Sequence, residues 1–308
     1  MSILGQFVWE DLMTTDTTSA ATFYNKVGGL KTAPAPFDPS YTTFLGSGTG
    51  MGGLMPLADD ARAMGAPPNW LSYVGTDNVD DTVRQAEALG GKVLKAAADI
   101  PNVGRFAILR DPQGAVFAVF STTMPARPAA SSVPLGHMSW HELATSDYAA
   151  AFSFYQTLFG WHIVNDMDMG PGMGTYRVFA FGGSDAQAGG MYTKPAQQPG
   201  PPAWLPYIKV ANVAAATDTA KSLGATIFHG PAEVPGGGWI TMGADPQGAA
   251  FAVHSTPAAA RPRAAASPKP KAKAGKKRKA APKKKKKTAK KAAKKKAAPK
   301  KRKAGSKK

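Results

Sequence analysis

Two parts of the 308-residue chain combine an indole, a carboxyl group and a phenol at alternating spacing. These are Trp9 and Asp11 with Leu71 and Tyr73, then Trp140 and Glu142 with Leu205 and Tyr207. Side chains two apart on a strand share a face, so each set is expected to line one surface as an aromatic pocket with a single acid. Trp9, Asp11, Tyr73, Trp140, Glu142 and Tyr207 are the candidate ligand-binding residues. Such a surface can stack on a planar ligand and exchange hydrogen bonds with it. Core packing is the default reading of any one tryptophan. It does not account for Asp11 and Glu142, because an inward carboxylate needs a partner or water, and these two point to a solvated cleft. Trp70 and Trp204 are expected beside the pocket, on its wall or at its mouth.

Other reactive chemistry is sparse. Cysteine is absent, which removes disulfides, thiolate metal sites and cysteine nucleophiles. All five histidines, His137, His141, His162, His229 and His254, fall within residues 135–256. His141 adjoins Glu142, but neighbours on a strand point to opposite faces, so the pair is not expected to share a metal. Asp111 and Asp245 read as turn residues. The run Gly46-Ser47-Gly48-Thr49-Gly50-Met51-Gly52-Gly53 lacks the Gly-Lys-Ser/Thr ending of a phosphate-binding loop, and reads as a hairpin connection. No catalytic residue, metal ligand or cofactor is expected.

The elements that must position these residues occur twice. Trp9-Glu10-Asp11-Leu12 through Phe23-Tyr24 returns as Trp140-His141-Glu142-Leu143 through Phe154-Tyr155, 131 residues later. Trp70-Leu71-Ser72-Tyr73 returns as Trp204-Leu205-Pro206-Tyr207, and Asp111-Pro112-Gln113-Gly114-Ala115 as Asp245-Pro246-Gln247-Gly248-Ala249, both at an offset of 134. Three blocks in one order define two copies of a domain, 4–124 and 135–256, joined by a proline-bearing linker at 125–134. Within the first copy, a strand over 7–13 leads to Asp16, which can cap a helix over 17–26. After strand-like runs at 41–45 and 53–57, a strand over 71–76 leads to Asn78 and a helix over 79–89. Each copy therefore states strand, helix and about three strands twice. The fold class is α+β: two tandem copies of a paired βαβββ domain, plus a disordered basic C-terminal tail.

Charge separates that tail from the rest. Residues 257–308 carry 25 Lys and Arg and no Asp or Glu, which leaves 13 basic against 20 acidic side chains in the first 256 residues. A segment without aromatic residues and with this charge density cannot bury a core. Lys283, Lys284, Lys285, Lys286 and Lys287, with Lys294, Lys295 and Lys296, are the candidate nucleic-acid contacts. DNA or RNA would be held non-specifically through counterion release. In composition the tail is similar to the Ala/Lys/Pro tails of linker histones. No apolar run reaches the roughly 18 residues of a membrane span, and the N-terminus has no secretory pattern. A cytoplasmic location is expected, with nucleoid association through the tail.

The Asp-x6-Phe-Tyr helix entry and the Asp-Pro-x-Gly turn before a last strand, each present twice, resemble the vicinal oxygen chelate superfamily. Glyoxalase I, bleomycin-resistance proteins and extradiol dioxygenases belong to it. The resemblance implies sheets that curl around a pocket, and in the metalloenzymes a divalent metal held by His, Gln or Glu. The positions it assigns to ligands are Trp9 and Trp140, Leu71 and Leu205, and Ala118 and Ala252 here. None of these side chains offers a usable lone pair. The expectation is a small-molecule-binding protein of unknown ligand, without the metal site and tethered to nucleic acid. A metal-dependent lyase or dioxygenase and a nucleoid-associated architectural protein are the alternatives.

Overall fold

The computed structural model describes residues 3–35, 41–63, 65–122 and 133–256. The tail at 257–308 and most of the linker lie outside these residues.

The first domain runs β1 (Phe7–Thr14), α1 (Thr17–Gly28), β2 (Lys31–Pro34), β3 (Thr42–Gly46) and β4 (Thr49–Pro56). After a short α2 (Asp59–Ala63) it repeats the pattern as β5 (Asn69–Gly75), α3 (Val79–Ala88), β6 (Lys92–Ile100), β7 (Gly104–Arg110) and β8 (Val116–Thr122). The second domain is built alike. Its first module is β9 (Met138–Thr145), α4 (Tyr148–Phe159), β10 (His162–Asp168), β11 (Thr175–Ala180) and β12 (Gln187–Thr193). Its second is β13 (Ala203–Lys209), α5 (Val213–Ser222), β14 (Thr226–Glu233), β15 (Trp239–Ala244) and β16 (Ala250–Ser255). Each domain is one eight-stranded sheet, ordered β2-β3-β4-β1-β5-β8-β7-β6 and β10-β11-β12-β9-β13-β16-β15-β14. The first strands of the two modules pair antiparallel at the centre, β1 with β5 and β9 with β13.

The helix starts follow from local hydrogen bonding. Asp16 accepts the Ser19 amide at 2.9 Å, and Asp147 accepts those of Ala149 and Ala150 at 3.0 Å. Asn78 and Asn212 do the same for Asp81 and Ala215. Each side-chain oxygen satisfies an amide that the helix itself leaves open.

One face of each sheet carries the helices, and these faces form a shared core. Phe23, Tyr24 and Val27 of α1 pack with Val213, Ala216 and Phe251 of the second domain. Phe154, Tyr155 and Phe159 of α4 pack reciprocally with Val79, Leu109 and Phe117 of the first. Each core is thus assembled from half of either domain. Trp70 and Trp204 belong to this buried layer, not to the pocket wall or mouth. Their indoles donate to the hydroxyls of Tyr24 at 3.1 Å and Tyr155 at 2.9 Å. The reason is strand alternation: Leu71 and Tyr73 face the other way, so Trp70 between them must face the helices.

The glycine run also differs from expectation. Its connection is confined to Ser47-Gly48, and Gly50, Gly52 and Gly53 lie within β4, which begins at Thr49. Glycine tolerates the strand here because a side chain could not fit: a Cβ on Gly53 would lie 1.7 Å from the Tyr41 hydroxyl and 2.4 Å from Asp11 Oδ1.

Candidate functional site

The face of each sheet away from the helices, the open face, collects the predicted side chains. In the first domain the register places Trp9 opposite Tyr73, Tyr73 opposite Ala118, and Asp11 between Gly53 and Leu71. The second domain matches it, with Trp140 opposite Tyr207, Tyr207 opposite Ala252, and Glu142 between Gly190 and Leu205.

Asp11 is only 4% exposed, so it does not sit in a solvated cleft. Protein donors take the place of water. Its Oδ1 accepts from the Tyr41 hydroxyl at 2.6 Å and the Trp9 indole at 3.0 Å, and its Oδ2 accepts from the Tyr73 hydroxyl at 2.8 Å. Glu142, 9% exposed, accepts from Tyr176 at 2.9 Å and Tyr207 at 3.0 Å, while Trp140 donates to the Tyr176 hydroxyl at 2.9 Å. Each domain therefore holds a carboxylate locked between two phenols and backed by one indole. Burial raises both carboxyl groups above their ordinary values, although the phenols oppose it. Burial, followed by the adjacent carboxylate charge, raises Tyr73 and Tyr207 in turn, so these phenols stay protonated as donors.

Tyr41 and Tyr176 complete the two locks and were not anticipated. A signal existed: Tyr41-Thr42-Thr43-Phe44 and Tyr176-Arg177-Val178-Phe179 share a Tyr-x-x-Phe pattern at an offset of 135. Gly190 mirrors Gly53, since a Cβ there would meet the Tyr176 ring at 2.1 Å. The close approach of phenol to strand demands glycine at both positions.

On the opposite face, His141 points away from Glu142 as strand alternation requires. It stacks on Phe7 with ring centroids 3.6 Å apart, and its Nε2 lies 2.9 Å from Glu10 Oε1. Glu10 and His141 occupy the same position of the repeat, so the two domains meet through equivalent strands. Asp111 and Asp245 are turn residues, with Oδ1 of each accepting amides of its own turn. Their second oxygens accept hydroxyls from the other domain, Tyr155 at 2.9 Å and Tyr24 at 3.0 Å.

The two open faces differ in how far they are filled. Around Tyr73 the first packs Leu71, Phe106, Ala118 and Phe120. The second bears a cavity of about 290 Å³ bounded by Ser139, Trp140, Ala186, Gln187, Lys209, His254 and Thr256. Among the described residues no three His, Cys, Asp or Glu side chains come together as a group that could hold a metal ion. No helix among them is long and apolar enough to cross a membrane.

Comparison with known proteins gives these features a family. Residues 4–119 and 135–253 match the Glyoxalase/Bleomycin resistance protein/Dioxygenase superfamily, and the chain belongs to it. A Mycobacterium tuberculosis relative named "Putative glyoxylase CFP32" is 31% identical over 249 residues, covering 80% of this chain and 92% of that protein. The anthracycline biosynthesis protein DnrV of Streptomyces peucetius is 30% identical over 262 residues, covering 81% and 92%. The Mn(II)-bound glyoxalase from Novosphingobium aromaticivorans shares the fold, with a TM-score of 0.56 at 16% identity and 83% of either chain covered.

Proposed function

We propose that the chain is a small-molecule-binding member of the superfamily that works without a divalent metal, and that the open face of its second domain is the binding surface. The observation that carries this reading is the pairing of the partly buried Trp140 with an adjoining cavity of about 290 Å³, close to the lower end of small-ligand sites. Of the second-domain candidate residues Trp140 lines this cavity, Glu142 and Tyr207 lie buried on the same face of the sheet, and Trp9, Asp11 and Tyr73 occupy the equivalent positions in the first domain. The DnrV relative, named for anthracycline biosynthesis, favours a planar, partly aromatic ligand.

The donor set supports a metal-free reading. Among the described residues each open face offers a carboxylate whose oxygens already accept two phenol hydrogens, with an indole hydrogen as well at Asp11, and the strands beside it contribute Trp, Leu and Ala. A divalent cation would have to displace those donors and would gain a single protein ligand. The test is titration of the full chain with planar aromatic compounds, followed by the Trp140 indole signal. Binding that survives exhaustive chelation and weakens in Trp140→Ala agrees with the proposal, and strict dependence on added metal contradicts it. That second outcome would favour a metal-dependent lyase or dioxygenase; the structural neighbours are named as a glyoxalase and a dioxygenase.

The polybasic tail supports a second function, non-specific attachment to nucleic acid through runs such as Lys283 to Lys287 and Lys294 to Lys296. Lysine runs neutralise phosphates without reading bases. Retention of the full chain on duplex DNA should fall steeply with salt and vanish on truncation after Ala260. Equal retention of the truncated chain would refute it. If the open faces bound nothing while the tail bound DNA, the architectural reading would replace the tethered-binder reading.

A further inference from the structure

The chemistry of the cavity beside Trp140 comes from departures from the repeat. Ser139, Lys209 and His254 stand where the first domain has Val8, Gly75 and Phe120. In the first domain Phe120 is buried and packs against Tyr73 with ring centroids 6.1 Å apart, so an aromatic ring fills that end of the face. In the second domain an imidazole, a hydroxyl and an ammonium group surround open volume instead.

We infer that this cavity receives the anionic group of a small organic acid, with Lys209 supplying the charge, the hydrogen-bonded Ser139–His254 pair one further donor and Trp140 the apolar wall. The inference rests on the reading of the second open face as a small-molecule site and adds the sign of the ligand's charge. Lys209 Nζ donates to the Val133 carbonyl at 2.8 Å, which holds the ammonium at the cavity and leaves two further N–H bonds for a guest. Ser139 Oγ lies 3.0 Å from His254 Nδ1, so hydroxyl and imidazole orient one another. Burial, and then the charge of Lys209, lower the pKa of His254, so its neutral form prevails and Lys209 carries the one formal charge among the lining residues. No carboxylate lines the cavity, and the Glu142 oxygens are turned toward Tyr176 and Tyr207. A fixed positive charge without a neighbouring counter-charge selects an anion over a neutral isostere. The volume, roughly ten liquid-water volumes, suits an acid of one or two rings better than a nucleotide.

The test uses the full chain at about 0.15 M salt, where screening weakens long-range attraction by the tail. Calorimetric titrations compare 2-naphthoate and 2-naphthyl phosphate with neutral 2-naphthol, and the Trp140 indole resonance reports the site. The expected result is about tenfold tighter binding of one or both anions than of naphthol. That preference should be lost in Lys209→Met, while naphthol binding is retained. Ser139→Val with His254→Phe, which copies the first domain, should close the cavity and abolish binding of all three while thermal unfolding stays cooperative. Equal binding of anions and naphthol would overturn the anion inference and leave the small-molecule reading standing. A preference that persists in Lys209→Met, without movement of the Trp140 resonance, would assign it to the tail and overturn the inference. Failure of all three probes at millimolar concentration would overturn both.

Discussion

The two open faces share a lock and differ at one end. Asp11 and Glu142 occupy equivalent positions, each held by two phenols with an indole behind, although one side chain is a methylene longer. Beyond the lock the first face is closed by Phe120 and the second opens into the cavity of Ser139, Lys209 and His254. The comparison separates residues that the scaffold needs from residues free to change. What is repeated, including Tyr24 and Tyr155 on the helix side, holds the domains together. Function is to be sought where the copies diverge. The contact of Glu10 with His141 shows the same freedom: in a symmetric dimer that position would meet its own kind, whereas within one chain the two copies can carry different residues there.

The largest effects are expected at the helix layer. Tyr24→Ala and Tyr155→Ala each remove a buried ring and a hydroxyl that ties the helix to the other domain's turn. Each should cost about 3–5 kcal/mol in urea unfolding, by similar amounts. A cost confined to one of them would break the claim that the halves are equivalent.

Smaller losses should follow at the locks. Tyr73→Phe and Tyr207→Phe keep the ring and remove one donor from a buried carboxylate, at about 1–3 kcal/mol each. They should also push the carboxyl pKa of Asp11 or Glu142 further up, which carboxyl-carbon NMR titration would register. A downward movement would show that water enters the site when the phenol is removed.

The subtlest difference is in pH dependence. The carboxyl pKa values of Asp11 and Glu142 are raised by folding, so the folded state retains their protons over a range where the unfolded chain has lost them. Their contribution is present in full below the ordinary carboxylate range and is lost as pH rises through the raised values. Asp16, Asp80 and Asp166 are lowered and act in the opposite sense, so total stability is not diagnostic. The comparison must be between wild type and Asp11→Asn/Glu142→Gln. On going from about pH 4 to pH 7, wild type should lose melting temperature relative to the double variant. A constant difference between them would show that folding leaves the two carboxyl groups unshifted.

Much of this architecture was legible in the sequence because repetition and strand alternation are one-dimensional signals. Trp9 with Trp140 and Tyr73 with Tyr207 could be equated from their offsets. Alternation placed Glu142 and His141 on opposite faces, and the same rule applied to Trp70 beside Leu71 would have put that indole among the helices. What alternation cannot supply is the partner of a buried acid. Tyr41 lies 30 residues from Asp11 and meets it only because glycines in β4 let the ring cross the strand. The cavity was hidden for a related reason. Ser139, Lys209 and His254 belong to three strands, and nothing marks them along the chain except that each departs from its counterpart in the first copy.

Native mass spectrometry of the full chain, recorded with and without added Mn²⁺, tests the central claim most directly. The account predicts the polypeptide mass with no stoichiometric metal in either case, and a small organic acid retained as an adduct that Trp140→Ala releases. One tightly held metal ion per domain, surviving the Trp140 substitution, would contradict it.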